Sequence, residues 1–131
     1  MVLIDFGLAK QYISRDGIHK PNVYNIKMCG TLRYISIHVH DRNEPSRRDD
    51  IISMVYVIIF LMNRTLPWQD VMHSNKIEKN QMIHEIKKNV IHEELCKLLP
   101  EKIKNIIDYS YELEYSETPD YDYIEFLLKT L

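Results

Sequence analysis

The sequence lacks the features that mark several large classes of protein. Only two of its 131 residues are cysteines, Cys29 and Cys96, and they form neither a CxxC pair nor an evident metal-binding set. No apolar run reaches the roughly 18–20 residues that span a bilayer. The first residues do not resemble a signal peptide, and no internal repeat or low-complexity tract is present. We therefore expect an intracellular protein, cytoplasmic or nuclear, with reduced thiols.

A strong excess of one charge is also missing. The chain has 17 Lys and Arg against 19 Asp and Glu, a net charge of −2 and a pI of about 6.3. A nucleic-acid-binding or membrane-surface protein usually carries a basic patch or stripe, so we expect neither nucleic acid nor membrane as a partner. The hydrophobic content of 45% and the length suit one soluble domain with one core.

What the sequence does contain is one long apolar stretch headed by charge, at residues 46–61. Ser46 and Asp49 have the spacing of a capping box. Asp49 and Asp50 lie where the helix dipole is positive. The rest of the stretch is apolar around the whole helix, so other protein must enclose it. These features predict a central buried helix with the remaining elements packed around it.

The rest of the chain predicts a mainly α fold. Residues 1–4 indicate a short buried strand that ends in a turn at Gly7, and residues 32–39 have some strand character. Residues 9–30 show no lasting periodicity and predict a long loop. Helical patterns follow the central helix at residues 75–88, 91–99, 101–113 and 119–131. For residues 75–88 the expected inner side is Ile77, Met82, Ile83 and Ile86.

Five short motifs carry the chemical signal. In chain order they are Asp5-Phe6-Gly7-Leu8-Ala9-Lys10, Gly30-Thr31-Leu32-Arg33-Tyr34, Ser46-Arg47-Arg48-Asp49-Asp50, Leu66-Pro67-Trp68-Gln69 and Pro119-Asp120-Tyr121. This series resembles the C-terminal lobe of the casein kinase 1 family of serine/threonine protein kinases, over essentially the whole chain. The resemblance implies a partial protein kinase domain at residues 1–131, a protein-kinase-like C-lobe fragment with a short strand remnant at its N-terminus. Its activation segment would be at about 5–40 and its helical C-lobe at about 46–131.

The resemblance also implies roles for single residues at the nucleotide end. Asp5 would hold Mg²⁺ against the phosphates of ATP, because a hard cation needs oxygen ligands. Gly7 would complete the turn beside it. Asp50 would accept backbone hydrogen bonds from a catalytic loop. The alternative for Asp5 is an ordinary turn residue, and the alternative for Asp50 is simple helix-start electrostatics.

Three basic residues would receive an anion next to the target hydroxyl. Arg33 resembles the anion-binding arginine of the family, whose planar fork matches phosphate oxygens. Lys79 falls at a second basic position, and Lys27 is expected nearby. For Lys79 the alternative is a solvated helix face. Asp70 stands where the family has glycine, and its carboxylate would repel an anion at this site.

Other parts of a kinase are missing from these 131 residues. We find no Gly-rich loop, no phosphate-pairing lysine and no catalytic loop, so no catalytic Asp is assigned. The resemblance therefore implies a truncated kinase that is inactive alone and does not bind ATP and Mg²⁺ productively without the missing N-terminal lobe. The alternatives are a non-catalytic module that binds acidic or phosphorylated peptides or partner kinases, and a remnant without a role. A metal site at His38, His40 and Asp41 would lack further ligands.

Overall fold

A computed structural model describes residues 5–131, so the predicted strand at residues 1–4 lies outside the described part. The described residues form six helices, and the predicted mainly helical fold is confirmed. Strand pairing within them amounts to one isolated antiparallel bridge between Ile13 and His19. The helices, in chain order, are α1 (Ile37–His40), α2 (Arg47–Asn63), α3 (Lys76–Asn89), α4 (His92–Leu95), α5 (Glu101–Glu112) and α6 (Tyr121–Lys129).

The apolar stretch forms α2, the central buried helix, as predicted. The Ser46 N–H donates to Asp49 Oδ2 at 2.8 Å, and both halves of the predicted capping box are present. The helix ends where Arg64 adopts a left-handed conformation with φ 64° and donates its N–H to the Phe60 carbonyl. Four side chains of α2 are fully buried: Ile52, Val55, Tyr56 and Ile59. Within residues 5–131, no helix combines the length and hydropathy needed to cross a bilayer.

The partner of α2 is α5, which also supports α4 and α6. Ile103, Ile106 and Ile107 are fully buried, so the amphipathic pattern predicted here is confirmed. The Ser110 hydroxyl is buried on the same face and donates to the Ile106 carbonyl at 2.6 Å. One apolar core therefore joins the C-terminal half of the chain to the central helix.

The strand character predicted for residues 32–39 is wrong. The amides of Tyr34 and Ile35 both donate to the Thr31 carbonyl, which makes a turn. Ser36 then caps α1, its hydroxyl accepting from the Val39 N–H at 3.2 Å. A hydroxyl cap close behind a tight turn favours helix over strand, although the apolar residues alternate. The helix predicted at residues 91–99 is also shorter than expected, since α4 covers only His92–Leu95.

The predicted inner side of α3 is partly wrong. Ile83 is buried, but Ile77 is 69% exposed and Met82 45% exposed. The second buried residue of the helix is Lys87, only 2% exposed and one turn beyond Ile83. The helix packs on α1 through a narrow stripe, so fewer apolar residues reach the core than the pattern suggested.

Candidate functional site

The two neighbouring acids at the start of α2 lie in different surroundings. Asp49 is 2% exposed and its carboxylate accepts hydrogen bonds from the Ser36 hydroxyl at 2.5 Å and from the Ser46 amide and hydroxyl. It therefore connects the cap of α1 to the cap of α2. Asp50 is exposed and takes part in no ion pair among residues 5–131.

Asp50 lines a cleft of about 310 Å³ at the head of α2, which we call the α2 cleft. Partial removal of water, and then the neighbouring Asp49 charge, raise the pKa of the Asp50 carboxyl above its ordinary value. Hydrogen-bond donors from another segment of protein in the cleft would stabilise the charged form of this carboxyl. The other lining residues are Leu8, Ala9, Lys10, Tyr12, Cys29, Pro45, Ser46 and Arg47.

The start of the predicted activation segment is held beside this cleft. The Lys10 ammonium lies 2.8 Å from a Glu44 carboxylate oxygen. The guanidinium of Arg47 lies 4.9 Å from the ring centroid of Tyr12 and donates to the Ser116 carbonyl at 2.7 Å. The segment therefore lies against the start of α2 and the turn before it, through one ion pair and one cation–π contact at the surface.

Asp5 forms a turn with Gly7. Asp5 has φ 62°, and its Oδ1 accepts the Gly7 N–H at 3.1 Å. A Cβ on Gly7 would lie 3.1 Å from that same oxygen, so glycine suits this close approach. Residues 5–131 contain no group of three His, Cys, Asp or Glu that could hold a metal ion. One exposed carboxylate does not by itself fit Mg²⁺, which needs about six oxygen ligands.

Arg33 lies on a turn formed by residues 30–35, the Arg33 turn. Its guanidinium carbon lies 5.2 Å from the ring centroid of Phe60 and 5.8 Å from that of Tyr34. Its carbonyl accepts the indole N–H of Trp68 at 2.7 Å. None of the ion pairs within residues 5–131 involves Arg33, so the guanidinium keeps its donors for a ligand.

The other two predicted anion-binding residues lie on different elements. Lys79 is half-buried in the first turns of α3, and Lys27 is exposed in the long loop. Neither forms an ion pair with a described residue. No described contact joins them to Arg33, as is expected of three like charges without a ligand. A joint site of Arg33, Lys79 and Lys27 stays a prediction.

No sequence motif pointed to Lys87, whose side chain contacts the inner side of the Arg33 turn. Its ammonium nitrogen donates to the carbonyls of Leu32 at 2.8 Å and Ile35 at 2.6 Å. It also lies 4.9 Å from the ring centroid of Trp68 and 5.2 Å from that of Tyr56. Burial lowers the pKa of the Lys87 ammonium to about 7.

Two histidines considered as metal ligands, His38 and His40, lie on α1, directly after the same turn. The His40 ring stacks on His84 with centroids 5.6 Å apart, and His84 Nε2 lies 2.8 Å from Asp41 Oδ1. Burial, and then the charges of Lys87 and His84, lower the pKa of His40 to about 4. His40 packs as a neutral ring against His84, and no group of three possible metal ligands surrounds it within residues 5–131.

The chain is similar to curated proteins along nearly its full length. It is 37% identical over 129 residues to casein kinase I homolog 3 of Schizosaccharomyces pombe, and these residues are 98% of the chain. The predicted resemblance to the casein kinase 1 family is confirmed. The chain spans only 29% of the length of that relative. No protein-family model matches the chain.

Proposed function

We propose that this chain of the casein kinase 1 family is the helical lobe of a serine/threonine protein kinase and does not transfer phosphate by itself. The observation that carries the proposal is the α2 cleft, with Asp50 at its edge and the start of the activation segment against it. A catalytic loop from outside these residues, with the N-terminal lobe, would occupy this cleft. The division into an activation segment at about 5–40 and a helical lobe at about 46–131 is part of this proposal.

The residues of this chain support the proposal that phosphate transfer needs more protein. The family relationship implies that intact members use ATP and Mg²⁺. Here Asp5 would contribute one carboxylate to such a site, and its Oδ1 is oriented by the Gly7 amide. A kinase also needs an acid that accepts the proton of the substrate hydroxyl and a lysine that pairs the phosphates. The 131-residue sequence contains neither motif.

A phosphotransfer assay tests this proposal. Purified chain with casein, ATP and Mg²⁺ should give no more labelled product than the Asp5→Asn variant, which removes the charge of the one assigned metal ligand. Transfer by the parent chain that disappears in Asp5→Asn would contradict the proposal. Equal low signals in both would indicate a contaminating kinase and leave the chain itself inactive, as proposed.

The second candidate function is non-catalytic binding of acidic or phosphorylated peptides. The observation in its favour is the Arg33 guanidinium, which rests on two aromatic rings and forms no ion pair with a described carboxylate. An arginine in this state can give two parallel hydrogen bonds to a phosphate. Lys79 and Lys27 would add charge around the same anion.

Peptide titration tests the second function. A phosphoserine peptide should bind more tightly than its unphosphorylated form, and Arg33→Ala should weaken it about tenfold or more, as expected for lost charge-assisted hydrogen bonds. Lys79→Ala and Lys27→Ala should each cost less, because each removes one point charge. Arg15→Ala, at an exposed arginine of the loop, is the matched control and should change nothing. Unchanged affinity in Arg33→Ala would exclude this site.

A further inference from the structure

We propose that Lys87 and Trp68 are positioning residues for the Arg33 anion site. Together they hold three backbone carbonyls of the Arg33 turn, those of Leu32, Arg33 and Ile35. The inference rests on the anion binding proposed above for Arg33. The new element is that two buried donors, Trp68 and Lys87, fix the backbone conformation around Arg33 from within the core.

The contacts are arranged around Arg33 itself. The Trp68 indole N–H donates to the Arg33 carbonyl at 2.7 Å. The Lys87 ammonium donates to the carbonyls of Leu32 at 2.8 Å and Ile35 at 2.6 Å, which lie before and after Arg33 in the chain. Trp68 is 1% exposed and Lys87 2% exposed, so water does not compete for these carbonyls. The two donors also touch each other, since the ammonium nitrogen lies 4.9 Å from the Trp68 ring centroid.

Core packing alone explains Lys87 poorly. Burying an ammonium is expensive, and no carboxylate within residues 5–131 pairs with this one. A methionine of similar length would fill the space without that cost. What the lysine adds is hydrogen-bond donors for two carbonyls on the inner side of the turn, those of Leu32 and Ile35. A lysine at this position is therefore explained by its hydrogen bonds to the turn rather than by core packing.

The entry to the turn is fixed as well. Gly30 has φ +95°, and a Cβ there would come within 2.7 Å of the Ile35 side chain. The backbone from residue 30 to residue 35 is thus constrained at its start and along its inner side. An arginine on an ordered backbone loses less conformational entropy when it binds an anion, which raises affinity.

Lys87→Met tests the inference, with Lys88→Met as the matched control at the exposed neighbouring lysine. We expect Lys87→Met to weaken phosphoserine-peptide binding about tenfold and Lys88→Met to change it less than twofold. In an Arg33→Ala background, Lys87→Met should add no further loss, because the lysine acts through the arginine. Hydrogen exchange at the Tyr34 and Ile35 amides should quicken in Lys87→Met only.

Trp68→Phe is the second variant, in case Lys87→Met does not fold. It keeps an aromatic ring but removes the donor to the Arg33 carbonyl, and about threefold weaker binding is expected, again only when Arg33 is present. The inference is overturned if both variants bind like the parent while Arg33→Ala binds weakly; the proposed anion site then survives. Losses that persist undiminished in the Arg33→Ala background would also overturn it. If Arg33→Ala binds like the parent, the anion site itself fails.

Discussion

Two parts of the same long loop are held in different ways. The outer loop, residues 8–29, is tied down by surface contacts such as Lys10 with Glu44 and the Ile26 N–H with the Arg42 carbonyl. The Arg33 turn that follows is held by Lys87 and Trp68 from the core. The outer loop also leaves large apolar side chains in solvent: Leu8, Tyr12, Ile18, Val23 and Tyr24.

The difference separates what this chain fixes alone from what a partner would fix. An exposed ion pair contributes about 0–1 kcal/mol, whereas a buried hydrogen bond from a charged donor contributes about 1.5–3 kcal/mol. The Arg33 turn should therefore keep its shape in the isolated chain. The outer loop should open easily and become ordered when another segment covers its apolar side chains.

The largest expected effect comes from Asp49, which supports the turn through Ser36. Asp49→Ala should lower the free energy of unfolding by about 3 kcal/mol, because it leaves buried donors of Ser36 and Ser46 unsatisfied. Urea unfolding followed by far-UV circular dichroism measures this change.

Asp50→Ala is the control for that variant. The two carboxylates are adjacent, but Asp50 is exposed and its pKa is raised, so its removal should change stability by less than about 0.5 kcal/mol. Equal losses for the two variants would mean that the buried hydrogen bonds of Asp49 add no stability beyond that of the exposed Asp50.

Local patterns made much of the fold predictable. The capping box and the apolar stretch indicated α2, and the spacing of Ile103, Ile106 and Ile107 indicated α5. The link between Ser36 and Asp49 was not predictable, because it joins residues 13 positions apart through a tertiary contact. The error at residues 32–39 has the same origin, since the turn depends on donors from Trp68 and Lys87, far along the chain.

The candidate site was only half predictable. Motif resemblance pointed to Arg33 and Asp50, but Lys87 was not among the residues expected on the inner side of α3, because lysines are mostly solvated. One signal could have suggested otherwise: Lys87 follows Ile83 by four residues and therefore shares its face. The same reasoning from spacing misplaced Ile77, which shows that periodicity gives a face but not its width.

A smaller effect is expected in the pH dependence of stability. In the unfolded chain Lys87 keeps its proton up to about 10.5, while in the folded chain it loses it near 7. The unfolded state binds more protons in that interval, so stability should rise with pH above 7. With these two pKa values we expect the free energy of unfolding to rise by about 2 kcal/mol between pH 7 and pH 9.

Comparison of the parent with Lys87→Met isolates this rise, measured as urea midpoints at pH 7, 8 and 9. The variant should have a flat profile there, and both proteins should still lose stability as the pH falls from 6.5 toward 4. That acid loss follows from His40, which takes up a proton in the unfolded chain before it does so in the folded one. Parallel profiles above pH 7 would show that Lys87 does not titrate in this range.

The smallest expected effect on stability belongs to the outer loop. Lys10→Gln removes the pair with Glu44, and the free energy of unfolding should change by no more than about 0.5 kcal/mol. Trypsin cleavage after Arg15 or Lys27 should nevertheless quicken, because local opening of this loop costs less than global unfolding. Lys88→Gln, which removes an exposed lysine outside the loop, should leave cleavage there unchanged. A large loss of stability in Lys10→Gln would mean that surface contacts hold the outer loop as firmly as buried donors hold the Arg33 turn.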